Sequence, residues 1–282
     1  MIPAGATALG WQIHGLSIEA LSWGDPQGRP VLALHGWLDN AASFALLAPH
    51  MPGCQLVALD LTGHGHSDRR SADATYQVWD DLPQVLAVAD ELGWEQFHLM
   101  GHSRGAIISS LLACAVPDRI SRLVLLDAVT PEPVAEARFP EQIARFMADK
   151  SRLLERKARV YPSKEQAVVV RQDGSLPDEA AELIALRNLQ PCEGGYTWRT
   201  DPRLRGASAV KLSHQQVDAV LAALTMPSLV LLAKDGLGKH PELADAARLI
   251  PKLDLEWIDG GHHFHMEAGA PSVAQRIERF LK

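Results

Sequence analysis

The sequence predicts an α/β protein, a mostly parallel central sheet with helices on both faces. Three observations predict it. Short apolar runs alternate with longer segments of helical periodicity over most of the chain. The pentapeptide Gly101-His102-Ser103-Arg104-Gly105 lies between an apolar run and a helical pattern, the setting of a strand–turn–helix elbow. The residues with the most chemical potential fall at the carboxyl ends of the apolar runs, where parallel sheets collect their reacting groups.

In chain order, residues 12–23 alternate enough for one or two edge strands. Val31 to Leu34 reads as a short buried strand ending at His35-Gly36, and Gln55 to Leu59 as another ending at Asp60. Over Tyr76 to Leu92, Val78, Leu82, Val85, Leu86, Ala89 and Leu92 recur at helical spacing, and Gly93 stops the helix. Phe97 to Met100 is a strand, and Arg104 to Val116 a helix ended by Pro117. Leu123 to Leu126, Leu229 to Leu232 and Leu253 to Ile258 are further strands, ending at Asp127, near Asp235 and at the Gly260-Gly261 pair. Ala270 to Leu281 is the last helix.

The stretch 131–211 breaks the alternation. It opens with Pro131-Glu132-Pro133, closes near Asp201-Pro202-Arg203, and carries helical patterns over 139–159 and 178–189 without a convincing run of buried strands. The expected organisation is a core of residues 1–130 and 212–282 with a helical cap inserted at 131–211. Phe139, Phe146, Met147 and Leu153 are candidate apolar liners beneath it. The insert carries 14 Lys and Arg against 12 Asp and Glu, in a chain of formal net charge -7. A basic cap would favour an anionic substrate; the plainer reading is a solvated helical surface.

Composition narrows the function classes. A net charge of -7 offers no basic field for nucleic acid or for an anionic membrane surface. No apolar run approaches the roughly 20 residues of a membrane span. Met1 to Gly5 lacks the basic and apolar regions of a leader. Cys54, Cys114 and Cys192 are odd in number and widely spaced, which predicts reduced, buried thiols and a cytoplasmic setting rather than disulfides or a zinc knuckle. The partner expected is a small molecule, with no nucleic acid and no membrane insertion. No cofactor or metal is expected.

The chemistry expected is that of an activated serine. In the elbow, Ser103 takes an unfavourable positive φ, while Gly101 and Gly105 remove Cβ atoms that would clash. A serine hydroxyl needs a base, and the base needs an orienting acid. In elbow hydrolases the chain order is serine, acid, histidine. His262, directly after the glycine pair that ends the last strand, is the base candidate, with His263 and His265 as rivals. Two carboxylates at strand ends satisfy the order: Asp235 is the first candidate and Asp127 the reserve. The amides of Arg104 and Trp37 are the candidate oxyanion donors.

With these pieces in place, the chain resembles the lidded esterases of the α/β-hydrolase fold. The resemblance rests on His35-Gly36-Trp37, on Asp60-Leu61-Thr62-Gly63-His64-Gly65-His66-Ser67, on the Ser103 elbow, on Asp235 and on Gly261-His262. More narrowly, His35-Gly36-Trp37-Leu38-Asp39-Asn40-Ala41 and Gly260-Gly261-His262-His263-Phe264-His265-Met266 are similar to the serine hydrolase-like proteins. The resemblance implies a Ser103-Asp235-His262 triad, an oxyanion hole from the Trp37 and Arg104 amides, a lid, and cleavage of a carboxylic ester. Thioester or C–C hydrolysis and acyl transfer use the same triad. Relatives with Asp at the elbow are dehalogenases and epoxide hydrolases; Ser103 counts against both. Two readings come from other classes. His64-Gly65-His66-Ser67-Asp68 matches the H-x-H-x-D spacing of two-metal hydrolases, with His262, His263 and His265 as further ligands, but Arg69 stands where that motif has another His. A non-catalytic binding protein on the same fold is the other.

Overall fold

The computed structural model describes residues 2–156, 158–172 and 176–282. The chain opens with strands β1 (Thr7–Ile13), β2 (Leu16–Gly24), β3 (Arg29–Leu34) and β4 (Cys54–Leu59). Helix α1 (Leu82–Glu91), β5 (Phe97–His102), α2 (Arg104–Ala115) and β6 (Ile120–Leu126) follow. Then come α3 (Phe139–Leu154), α4 (Lys164–Gln172), α5 (Asp178–Asn188), β7 (Leu189–Cys192) and β8 (Gly195–Trp198). The chain ends with α6 (His214–Ala222), β9 (Ser228–Ala233), α7 (Pro241–Ala247), β10 (Leu253–Ile258) and α8 (Ala270–Phe280).

Eight strands form one sheet in the order β1-β2-β4-β3-β5-β6-β9-β10. β1 and β2 pair antiparallel, as do β2 and β4, and every later neighbour is parallel. The parallel strands read as unbroken apolar runs because both faces are buried. Leu32, Leu34, Leu99, Leu123, Leu125, Val230 and Leu232 face one way, against Val85 and Val88 of α1, Ile108 and Leu112 of α2, and Val217 and Leu221 of α6. Val31, Ala33, Met100, Val124, Leu126, Leu229 and Leu231 face the other, against Phe44, Phe264 and Val273, Ala274 and Ile277 of α8. The carboxyl ends of β3, β5, β6, β9 and β10 therefore open on one edge between two solid cores. Among the described residues no helix is long and apolar enough to cross a membrane.

The expected N-terminal strands begin earlier than the alternation indicates, and β2 is an inner strand. The helix expected over 139–159 ends at Leu154, and Lys157 lies outside the described residues. The stretch between β6 and α6 is also not purely helical. β7 and β8 form an antiparallel hairpin, turned at Gly194, and Tyr161 bridges to Tyr196. Four-residue strands are too short to show a period. The stretch leaves and returns through one neck, where Val134 N–H donates to Leu212 O at 2.9 Å. Ser213 and Gln216 then make a capping box that starts α6.

The stretch is tied down over the sheet edge by buried polar contacts. Arg187 of α5 forms an ion pair with Asp60 at 2.8 Å, with both side chains buried. Asn40 Nδ2 donates to Ile184 O at 2.8 Å, and Tyr76 Oη donates to Asp201 Oδ2 at 2.8 Å.

Candidate active site

Ser103 sits between β5 and α2 with φ 52 and ψ -116, strained for any residue with a Cβ. The packing explains why the chain accepts the strain. A Cβ on Gly101 would lie 2.3 Å from Gly105 O, and one on Gly105 would lie 2.0 Å from Leu34 O. The turn is held by Ser103 N–H donating to Leu126 O at 3.0 Å. Arg104, the first residue of α2, is anchored by its guanidinium to Asp81 Oδ2 and to Tyr76 O, both at 3.1 Å. The half-buried Ser103 is thus offered on a rigid turn, with the first amides of α2 behind it.

His262 follows β10, and Nδ1–H donates to Asp127 Oδ2 at 2.7 Å. The structure thereby corrects the pairing expected for the base: Asp127, and not Asp235, faces His262. Asp127 directly follows β6, with φ 51, and is fully buried. Its Oδ1 accepts Ala233 N–H at 2.8 Å and Gly238 N–H at 3.2 Å, and Oδ2 also accepts Leu237 N–H at 2.8 Å. A Cβ on Gly236 would stand 2.3 Å from Asp127 Oδ2. The Asp-Gly pair after β9 is therefore part of the cradle of the other carboxylate. Asp235 itself is exposed, and its amide donates to Gly260 O at 3.0 Å.

The elbow and the base loop are joined through His102. Its Nε2–H donates to His262 O at 2.8 Å, and its ring packs 4.7 Å from the His262 ring. Among the described residues Ser103 Oγ makes no hydrogen bond to His262; such contacts often tighten only with substrate bound. His263 and His265 point elsewhere. His263 Nε2–H donates to Asp39 Oδ2 at 3.2 Å, and His265 Nε2 is 2.9 Å from Ser43 Oγ. Burial and the charges of neighbouring histidines hold His102 well below the usual imidazole range and push His265 to about 3. Burial alone would raise the Asp39 carboxyl. The His263 hydrogen bond and the nearby His263, Arg171 and His102 charges outweigh it and hold Asp39 below the usual range. Asp39 and His102 carry no separate signal in the sequence, since each lies inside a run quoted for other residues.

Trp37 follows Gly36 in the loop after β3. Its indole is half exposed and Nε1–H donates to Leu204 O at 2.8 Å. The next amide, Leu38 N–H, is taken by His64 Nε2 at 3.3 Å.

The H-x-H-x-D run does not assemble a metal centre. His64 spends Nδ1–H on Thr62 O at 3.1 Å, and Asp68 Oδ2 accepts Ser17 N–H at 2.8 Å. Among the described residues, the group whose ligand atoms converge is Asp39, His102 and His263.

Much of the basic charge expected over the site is neutralised locally. Arg187 pairs with Asp60, Arg171 with Asp39, Arg203 with Asp201 and Arg152 with Asp149. Arg205 lies over the Trp37 ring, 5.7 Å from its centre. Of the apolar liners expected, Phe146 and Leu153 border a cavity of about 40 Å³ with Tyr76, Leu204 and Ala207, while Met147 is exposed. Phe139 lines a separate groove with Val134 and Ala219. Cys54, Cys114 and Cys192 are free; Cys54 is buried, and the other two are half-buried rather than buried as expected.

This arrangement of sheet, elbow and histidine loop is that of the α/β-hydrolases, and the chain belongs to the α/β-hydrolase fold family, whose model matches residues 29–269. It is similar to a serine hydrolase-like protein of Danio rerio, 30% identical over 92% of this chain and 83% of the relative. Among solved structures it is similar to a hypothetical protein from Pseudomonas aeruginosa PAO1, with 40% identity, a TM-score of 0.91 and 97% of each chain covered. The thioesterase domain from the curacin biosynthetic pathway superposes with a TM-score of 0.84 at 26% identity, over 96% of this chain and 98% of that one. Family and relatives together make the protein a hydrolase.

Proposed function

We propose that the protein is a serine hydrolase that cleaves carboxylic esters of small or medium acyl groups through Ser103, His262 and Asp127. The observation that carries this reading is the 2.7 Å bond from His262 Nδ1–H to Asp127, beside a serine held at positive φ on the elbow. A proton fixed on Nδ1 leaves Nε2 as the free base.

In this reading His262 Nε2 takes the Ser103 Oγ proton as Oγ adds to the acyl carbon. Asp127 stabilises the imidazolium that forms, and the Trp37 and Arg104 amides hold the oxyanion. Collapse of the tetrahedral adduct breaks the ester C–O bond, and His262 gives its proton to the leaving alcohol. Water, deprotonated by the same histidine, then attacks the acyl-enzyme; the carboxylic acid leaves and Ser103 regains its proton. Residues 131–211 serve as the cap that shapes the acyl pocket. The free cysteines support a cytoplasmic setting. Thioesters are the second reading, favoured by the similarity to a thioesterase domain.

The test is mass spectrometry of the protein and its peptides after exposure to a fluorophosphonate, with Ser103→Ala alongside. A stoichiometric adduct on the Ser103 peptide, absent from the variant, is expected, followed by turnover on chromogenic esters. An unmodified Ser103 together with no ester or thioester turnover would overturn the reading in favour of a non-catalytic binding protein.

A further inference from the structure

A second constellation lies just behind the proposed triad, built by three residues that the reaction does not use. Asp39 comes from the loop after β3, His102 from the end of β5 and His263 from the loop after β10. Asp39 and His102 are 1% and 0% exposed. Asp39 Oδ2 lies 3.2 Å from His263 Nε2 and 3.9 Å from His102 Nδ1, and the ligand atoms of all three residues lie within 4.8 Å of one another.

The protons on these rings identify what is missing. His102 Nε2 faces the His262 carbonyl at 2.8 Å, and a carbonyl only accepts, so Nε2 carries the proton. Neutral His102 therefore presents the lone pair of Nδ1. Among the described residues that atom is buried without a hydrogen-bond partner, and another acceptor, Asp39 Oδ2, lies 3.9 Å from it. Two buried acceptors this close repel unless a cation or a bridging donor sits between them. The space beside the pair is kept open by Gly36, whose Cβ would lie 2.8 Å from both Asp39 Oδ2 and His102 Nδ1.

We infer that Asp39 Oδ2, His102 Nδ1 and His263 Nε2 bind one divalent transition-metal ion of the zinc or cobalt type, and that its binding inhibits the reaction at Ser103. Two imidazole nitrogens and one carboxylate oxygen are a borderline donor set, suited to these ions rather than to magnesium or calcium. Water completes four-coordination. When neutral His263 ligates through Nε2, its ring proton moves to Nδ1 and none is lost. Of the other nearby histidines, His262 holds its Nδ1–H on Asp127 and His265 has Nε2 against Ser43 Oγ. Arg171, on Asp39 Oδ1, leaves Oδ2 to the ion but opposes it by charge.

Inhibition follows from geometry and rests on the proposed function. Tetrahedral ligands at zinc distances stand about 3.4 Å apart. Bringing ligand atoms up to 4.8 Å apart to that spacing moves them by up to roughly 1.4 Å. His102 directly precedes Ser103 and His263 directly follows His262, so the nucleophile and the base move with the ligands. Displacements of that size cost catalysis heavily.

The experiment titrates the chelator-stripped, full-length protein with Co²⁺, read by its visible ligand-field bands and by elemental analysis, with Zn²⁺ in competition. One saturable equivalent with four-coordinate intensity is expected. His263→Gln and Asp39→Asn should each weaken it about 100-fold, with circular dichroism confirming that both variants fold. Arg171→Gln should tighten it several-fold. No saturable equivalent, or unchanged affinity in both His263→Gln and Asp39→Asn, would overturn the site. Ester turnover with and without Zn²⁺ tests the coupling: a chelator-reversible fall supports it, and unchanged turnover at full occupancy sinks it. A protein without any turnover fails the proposed function, while the Co²⁺ spectrum still decides the site.

Discussion

The Asp127 carboxylate reaches past the end of β9 to His262, placing Oδ2 2.7 Å from Nδ1 while three amides of the β9 end and the loop after it hold its two oxygens. The strand order β6-β9-β10 makes this natural: the residue after β6 and the histidine after β10 meet over the strand between them. Asp127→Asn should therefore lower kcat on the order of 10⁴-fold, because the amide no longer fixes the imidazole tautomer. Asp235→Asn, at an exposed side chain, should leave kcat within about twofold of wild type. Steady-state turnover of a chromogenic ester by both variants decides. The opposite ranking would return the orienting role to Asp235.

That pair also shows what the sequence can and cannot carry. The sheet was legible because each parallel strand is an apolar run with a turn signal at its end, and the Ser103 elbow because the tight approach demands Gly101 and Gly105. The choice between Asp127 and Asp235 was not, because both end strands between Ser103 and His262. What separates them is which strand is the neighbour of which, and that order is a long-range property. The hairpin at Leu189–Trp198 was hidden for a local reason: its strands are too short for a period, and Pro191 and Gly195 are poor strand formers. The Asp39, His102 and His263 group is assembled from two loops and a strand end far apart in the chain, and no spacing announces it.

The strain at Ser103 gives a stability prediction independent of substrate. A residue with a Cβ at φ 52 and ψ -116 costs about 1–3 kcal/mol, and glycine does not bear that cost. Ser103→Gly and Ser103→Ala should both lose the fluorophosphonate adduct, yet the glycine variant should be the more stable, with a higher Tm. Equal melting temperatures for the two would mean that the turn stores no strain.

The Arg187–Asp60 pair is the main electrostatic bolt between α5 and the sheet edge, with side chains 3% and 0% exposed. Asp60 also accepts the amides of Ala41 and His66, both at 2.7 Å, so it also organises the two loops next to it. Arg187→Met should leave that carboxylate buried and unpaired, at a cost of about 3–5 kcal/mol. Denaturant unfolding measures the loss. A change under 1 kcal/mol would show that water or a neighbouring cation replaces the guanidinium.

Acid should weaken the fold through His98 on β5. Burial, helped by the Arg122 and Arg29 charges, pushes this imidazole from 6.5 to about 4. Between those values the unfolded chain binds a proton that the folded chain refuses, so stability is full above pH 6.5 and falls as pH drops toward 4. The shift corresponds to a loss on the order of 3 kcal/mol once the fall is complete. His98→Gln, which has no titrating ring, should lower stability at neutral pH but flatten this slope. Unfolding free energies measured at intervals from neutral pH to pH 4 should converge for wild type and variant as the pH falls. Parallel curves would mean that His98 takes up its proton in the folded chain as readily as in the unfolded one.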